Sequence, residues 1–165
     1  MKNSLYLILI ASFFIFNFPE LNNYPQKTNK IPYLNKRIIK FVDKNMGKQI
    51  GRGECWDLAA QALDYAGAKW DGSWQFGKVV DYKKDKIYPG DIIQFTNIKT
   101  EYTKENVTYY GTMTQHTVII YKVNGTGDYI LAEQNTPHSG RNIGLGKINF
   151  KHITEGKFTV YRPVN

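Results

Sequence analysis

Apolar positions change their spacing three times along the chain. Between Leu5 and Phe18 they run almost unbroken, interrupted only by Ser12 and Asn17, with Lys2 and Asn3 in front. That run is shorter than the roughly 20 residues a membrane-spanning helix needs. It predicts a secretory signal over residues 1–20, with an uncleaved anchor as the alternative because no small-x-small site precedes Pro19. Residues 21–34 read as a polar linker, and residues 35–165 as one domain. From Asn35, read as an N-cap, the spacing becomes helical: Ile38, Ile39, Phe41, Val42 and Met46 share a stripe that Gly47 closes. Cys55, Leu58, Ala59, Ala62, Leu63 and Ala66 repeat the pattern, and Gly67 stops it. Cys55 thus lies in the first turn of a buried helix, behind two glycines, Gly51 and Gly53, that permit close backbone approach.

After an aromatic but irregular stretch from Trp70 to Tyr88, the spacing turns to strands. Pro89-Gly90-Asp91 is a turn into a strand over Ile92–Phe95, and the polar stretch from Asn97 to Gln115 reads as a long hairpin or loop. Two strong strands follow, Gln115–Val123 and Asp128–Asn135, joined by Asn124–Gly127. Two short ones close the chain near Lys147–Phe150 and Phe158–Arg162. Helices first and antiparallel strands afterwards specify an α+β domain, its N-terminal helices packed on a small antiparallel sheet.

Composition narrows the chemistry. With one cysteine among 165 residues, the chain cannot build an intrachain disulfide framework, a paired-thiolate zinc site or an iron–sulfur cluster. No metal or cofactor is expected. The net charge of +8 suits an anionic partner, such as cell-wall polymers or lipid headgroups if the protein is exported by a bacterium. The lysines are scattered, with no stripe of the kind that binds nucleic acid, and no nucleic-acid partner is expected.

A thiol at a helix N-terminus is placed where backbone N–H groups favour the thiolate. What Cys55 lacks locally is a base. Of the three histidines, His116 opens the most regular strand, while His138 and His152 fall in connections. If Asn124–Gly127 is a four-residue loop, Val123 faces Asp128, His116 faces Asn135 and Val118 faces Glu133. Tyr129, Leu131, Glu133 and Asn135 then share the His116 face, and Gln134 points away. Glu133 or Asn135 is thereby placed to orient the imidazole, and a one-residue slip would bring Gln134 there instead.

Four segments in this order are similar to a known pattern: Gly53-Glu54-Cys55-Trp56 opening a helix, Pro89-Gly90-Asp91-Ile92-Ile93-Gln94-Phe95, Gln115-His116-Thr117-Val118-Ile119-Ile120, and Glu133-Gln134-Asn135. Together they resemble the NlpC/P60 and CHAP superfamily of papain-like cysteine peptidases and amidases. The pattern departs at Gln115, where a small residue is usual, and at Trp56-Asp57. The resemblance implies Cys55 as nucleophile, His116 as general base, and Glu133 with Asn135 as the orienting pair. It also implies amide bonds of peptidoglycan peptides as substrate, cleaved through a thioester acyl-enzyme. Trp56 and Arg52 are candidate substrate contacts.

The expected protein is therefore a monomeric cysteine hydrolase, secreted, periplasmic or held in the cell envelope. It would meet a membrane only through an uncleaved leader. Two alternatives keep the fold and change the role: a non-catalytic cell-wall binding module, and a lipid-directed acyltransferase or thioesterase.

Overall fold

The computed structural model describes residues 30–165, so the expected signal or anchor lies outside the described residues. Helix α1 spans Tyr33–Asn45 and α2 spans Cys55–Ala66. Six strands follow: β1 Lys78–Val80, β2 Ile92–Lys104, β3 Val107–Gly125, β4 Asp128–Glu133, β5 Gly144–Asn149 and β6 Ile153–Arg162. They form one antiparallel sheet in the order β1-β6-β2-β3-β4-β5. Among the described residues no helix is long and apolar enough to cross a membrane.

Helix α1 starts at Tyr33 behind Pro32, ahead of the expected start at Asn35. Asn35 is not the cap. It is fully buried inside the helix, where its amide donates to the Pro89 carbonyl (3.0 Å) and to Asp91 Oδ1 (2.8 Å). Asp91, also fully buried, is held further by Arg162 Nη2 at 2.8 Å. The Pro-Gly-Asp turn is therefore a knot joining α1, β2 and β6. Gly90 is required there, since its φ is 86° and a Cβ would sit 2.5 Å from the Asn35 carbonyl oxygen.

Period-two alternation survives in the sheet, but both faces are buried. Ile92, Ile119 and Ala132 pack with Ile38, Val42, Leu58, Ala59 and Leu63 of the helices. Ile93, Phe95, Val118, Ile120 and Leu131 pack on the other face with Phe150 and Val160. Aromatic side chains close that second core, with Phe150 against Phe158 at 4.1 Å and against Tyr82 at 5.0 Å between ring centroids. The polar stretch after Asn97 continues β2 and β3 as a long two-stranded hairpin, which turns at Glu105 and Asn106, both at positive φ.

The turn between β3 and β4 is tighter than the expected four-residue loop, because Gly125 pairs with Asp128. Irregularities between Ile120 and Lys122 and between Val123 and Gly125 absorb the difference, so that farther along Ile119 pairs with Ala132. That is the register expected at the His116 end, where the alternation predicts Val118 opposite Glu133. Strand β4 stops at Glu133, and Asn135 takes a left-handed φ of 62°, so the alternation does not reach it.

Candidate active site

The loop before α2 fixes the position of Cys55. Asp57, in the first turn, accepts the backbone N–H groups of Arg52 (2.7 Å) and Glu54 (3.4 Å), and its other oxygen accepts Arg52 Nη2 at 2.8 Å. Its hydrogen bond to the Arg52 guanidinium, with those backbone donors, holds its carboxyl below the usual range despite burial. From the opposite side comes Gln134, fully buried at the end of β4. Its amide accepts the Ile50 N–H (3.2 Å) and donates to the carbonyls of Ile50 (2.9 Å) and Glu54 (2.7 Å). Gln134 thus points to the other side of the strand from His116, as the alternation along the strand predicts. It also clamps the loop that leads into the cysteine, a role that strand alternation does not reveal.

The described β3–β4 pairs end at Ile119 and Ala132, which leaves the backbone beyond them free for other partners. There the half-buried Cys55 thiol meets the N–H of Thr117 and the ring of His116. His116 is buried at the same point, and its Nε2 lies 2.8 Å from Glu133 Oε2. With Nε2 committed to the carboxylate, Nδ1 is the nitrogen left for the thiol. Burial, the largest single influence on Cys55, pushes the thiol up. The His116 hydrogen bond and charge, with the N–H groups of Thr117 and Trp56, outweigh it and bring the pKa below the ordinary value. Burial likewise opposes the His116 imidazolium, but hydrogen bonds and charge from Cys55 and Glu133 raise its pKa to about 9. Both shifts act toward a thiolate–imidazolium pair.

Asn135, expected beside His116, is not there. Its amide donates to Glu54 Oε2 at 2.7 Å, because the left-handed backbone at Asn135 swings the side chain off the strand's face. It lines instead, with Cys55, a cleft of about 490 Å³. Arg52 and Trp56, the candidate substrate contacts, line this cleft too, along with Glu54, Trp74 and Gln115. The Trp56 indole N–H is already used by the Ser73 carbonyl at 2.7 Å, which ties the irregular segment after Trp70 to the cleft wall.

Sequence reasoning passed over two neighbours of the carboxylate. Gly146 on β5 leaves open the space that Glu133 Oε1 occupies, a close approach signalled by two glycines, Gly144 and Gly146, inside one short strand. His138 brings its Nε2 to 3.6 Å from the same oxygen. Among the described residues no group of three or more His, Cys, Asp or Glu side chains is placed to hold a metal ion.

A family described as the AIM3/BBC1 cysteine proteinase-fold domain matches residues 33–165. The chain belongs to it. Membership establishes a papain-like cysteine-proteinase fold, in agreement with the two helices and the antiparallel sheet, and does not extend to NlpC/P60 or CHAP. The chain is 28% identical to "Altered inheritance of mitochondria protein 3" of Debaryomyces hansenii over 83% of its own length. It spans only 18% of that relative. A solved structure titled "The crystal structure of Ly7917" aligns over 77% of this chain and 62% of its own, at 16% identity and a TM-score of 0.48. Neither the family nor the fungal relative supports peptidoglycan hydrolysis, expected from the NlpC/P60 and CHAP resemblance, or secretion, expected from the apolar run at the start of the chain.

Proposed function

We propose that this domain is a thiol-dependent hydrolase of amide bonds, acting through Cys55, His116 and Glu133. The observation that carries this reading is the continuous chain from thiol to imidazole to buried carboxylate, with Cys55 shifted down and His116 up. The Cys55 thiolate adds to the amide carbonyl carbon. The backbone N–H of Cys55 itself, the first residue of α2 and so without an acceptor in the helix, is the donor available to the oxyanion. As the tetrahedral species collapses, the C–N bond breaks and His116 gives its proton to the departing nitrogen, leaving a thioester on Cys55. Water, deprotonated by His116, then releases a carboxylic acid and restores the thiolate. Glu133 keeps the ring oriented and stabilises its charged form.

An open cleft lined by polar side chains, Glu54 and Asn135, and by aromatic ones, Trp56 and Trp74, suits a peptide segment rather than a long acyl chain. The test is incubation of the full chain and its Cys55→Ala variant with a peptide library and, in a separate arm, with peptidoglycan fragments. New amines and carboxylates are followed by mass spectrometry. Cleavage by the wild type alone supports the reading, and the productive arm names the substrate class. No difference between the two proteins in either arm overturns it in favour of a binding module.

A further inference from the structure

Glu133 has two histidine neighbours, one on each oxygen. Its Oε2 meets His116 Nε2 at 2.8 Å, and its Oε1 lies 3.6 Å from His138 Nε2. The carboxylate side chain is only 9% exposed, while the His138 side chain is 51% exposed. His138 is held by a small loop closed on itself. Thr136 and Gly140 exchange backbone hydrogen bonds at 3.1 and 2.8 Å, and Thr136 Oγ1 meets Ser139 Oγ at 2.7 Å and the His138 ring at 3.5 Å. Strand β5 makes room for this arrangement. A Cβ at Gly144 would sit 2.5 Å from Ser139 Cβ, and one at Gly146 would overlap Glu133 Oε1. Neither Glu133 nor His138 lines the cleft in front of Cys55.

We propose that His138 is a positioning residue that shares the Glu133 carboxylate with His116, so that a proton on His138 weakens the hold on the His116 imidazolium. The carboxylate carries one negative charge. When His138 is neutral, that charge serves His116 alone. When His138 is protonated, a second cation draws on the same charge and repels the imidazolium, which makes His116 a stronger acid. The route runs from solvent through the exposed face of His138 to the back of the triad, away from bound substrate. Among the described residues, Cys55 from α2 touches His116, and Arg141 of the same loop lies 3.3 Å from Glu54. Strand β5 presents Gly144 and Gly146 here, its Lys147 lying toward Asp128.

This coupling rests on Cys55 and His116 as the reacting pair for its functional meaning, but it is measured without substrate, so failure to hydrolyse amides leaves the result intact. The experiment is an NMR titration of the histidine ring carbons in the full chain, comparing wild type, His138→Gln and His138→Arg. The arginine keeps its charge throughout the titration. The His116 midpoint is expected at least about 0.3 pH unit lower in His138→Arg than in His138→Gln, the size a half-exposed ion pair supports. Equal midpoints in two folded variants overturn the proposal. If His138→Arg does not fold, wild type against His138→Gln decides. The His116 signal must carry a second inflection that coincides with the His138 titration and is lost in His138→Gln, and its absence also overturns the proposal.

Discussion

Gly146 leaves unoccupied the one volume that the Glu133 carboxylate needs: any side chain at that position would overlap Oε1. A methyl group there must displace the carboxylate, and with it the anchor of His116. Gly146→Ala is expected to slow Cys55 alkylation by iodoacetamide at pH 7 by tenfold or more, about 1.4 kcal/mol. Because β5 is an edge strand, the variant should still fold, with unchanged circular dichroism. Wild-type alkylation kinetics in this variant would show that the carboxylate is not what holds the thiolate.

Glu133 and Asn135 are separable by mutation. Glu133→Ala removes the buried partner of His116 and should lower the alkylation rate and any amide turnover by about 100-fold or more, in the direction of the roughly 10⁴-fold loss that follows replacement of an orienting carboxylate in other triads. Asn135→Ala removes a bond to Glu54 at the cleft rim. Its alkylation rate should stay within about threefold of wild type. Equal losses would return Asn135 to the role that the strand alternation assigns it.

The two shifted groups contribute stability over opposite pH ranges. The folded-state pKa of His116 is raised from 6.5 to about 9, so its contribution is full below 6.5 and fades as the pH rises through about 9. Cys55 is lowered from 9.0, so its contribution is present above that value and lost as the pH falls through the folded-state pKa. In urea unfolding, the stability difference between wild type and His116→Gln should therefore be larger at pH 6 than at pH 10. A difference that grows toward pH 10 would contradict the assignment.

Gln134 satisfies three backbone groups of the Ile50–Glu54 loop from a fully buried position. Gln134→Leu leaves the Ile50 N–H without a partner, while the Ile50 and Glu54 carbonyls keep the N–H groups of Gly53 and Asp57, at a cost of about 1–3 kcal/mol. Cys55 reactivity should fall with stability, because the same loop sets the start of α2. Urea unfolding and alkylation on one sample check both.

The part of this site visible in the sequence is the part governed by periodicity. Cys55 is found from helical spacing and a preceding glycine pair, and His116 with Glu133 from alternation across a hairpin. The register at the site is right although the turn is not, since the two irregularities in β3 cancel an error in assumed loop length. Asn135 is misplaced because alternation ends where the backbone turns left-handed, and a single sequence does not mark that point. Asn35 is misread because an asparagine near a helix start is usually a cap, and here a buried aspartate more than fifty residues away competes for its amide. Both faces of the sheet are buried, so polarity does not distinguish them.

The position of β6 has a consequence for how the domain is made. This strand, Ile153–Arg162, lies between β1 and β2, so Ile93 finds its partner Val160 only after the intervening chain exists. Helices α1 and α2, Cys55 and even His116 are all synthesised while β2 still presents an unpaired edge. Such an edge recruits other strands. Non-local closure of this kind is slow, and a nascent or truncated chain that stops before Ile153 would carry every residue of the triad and still aggregate through β2.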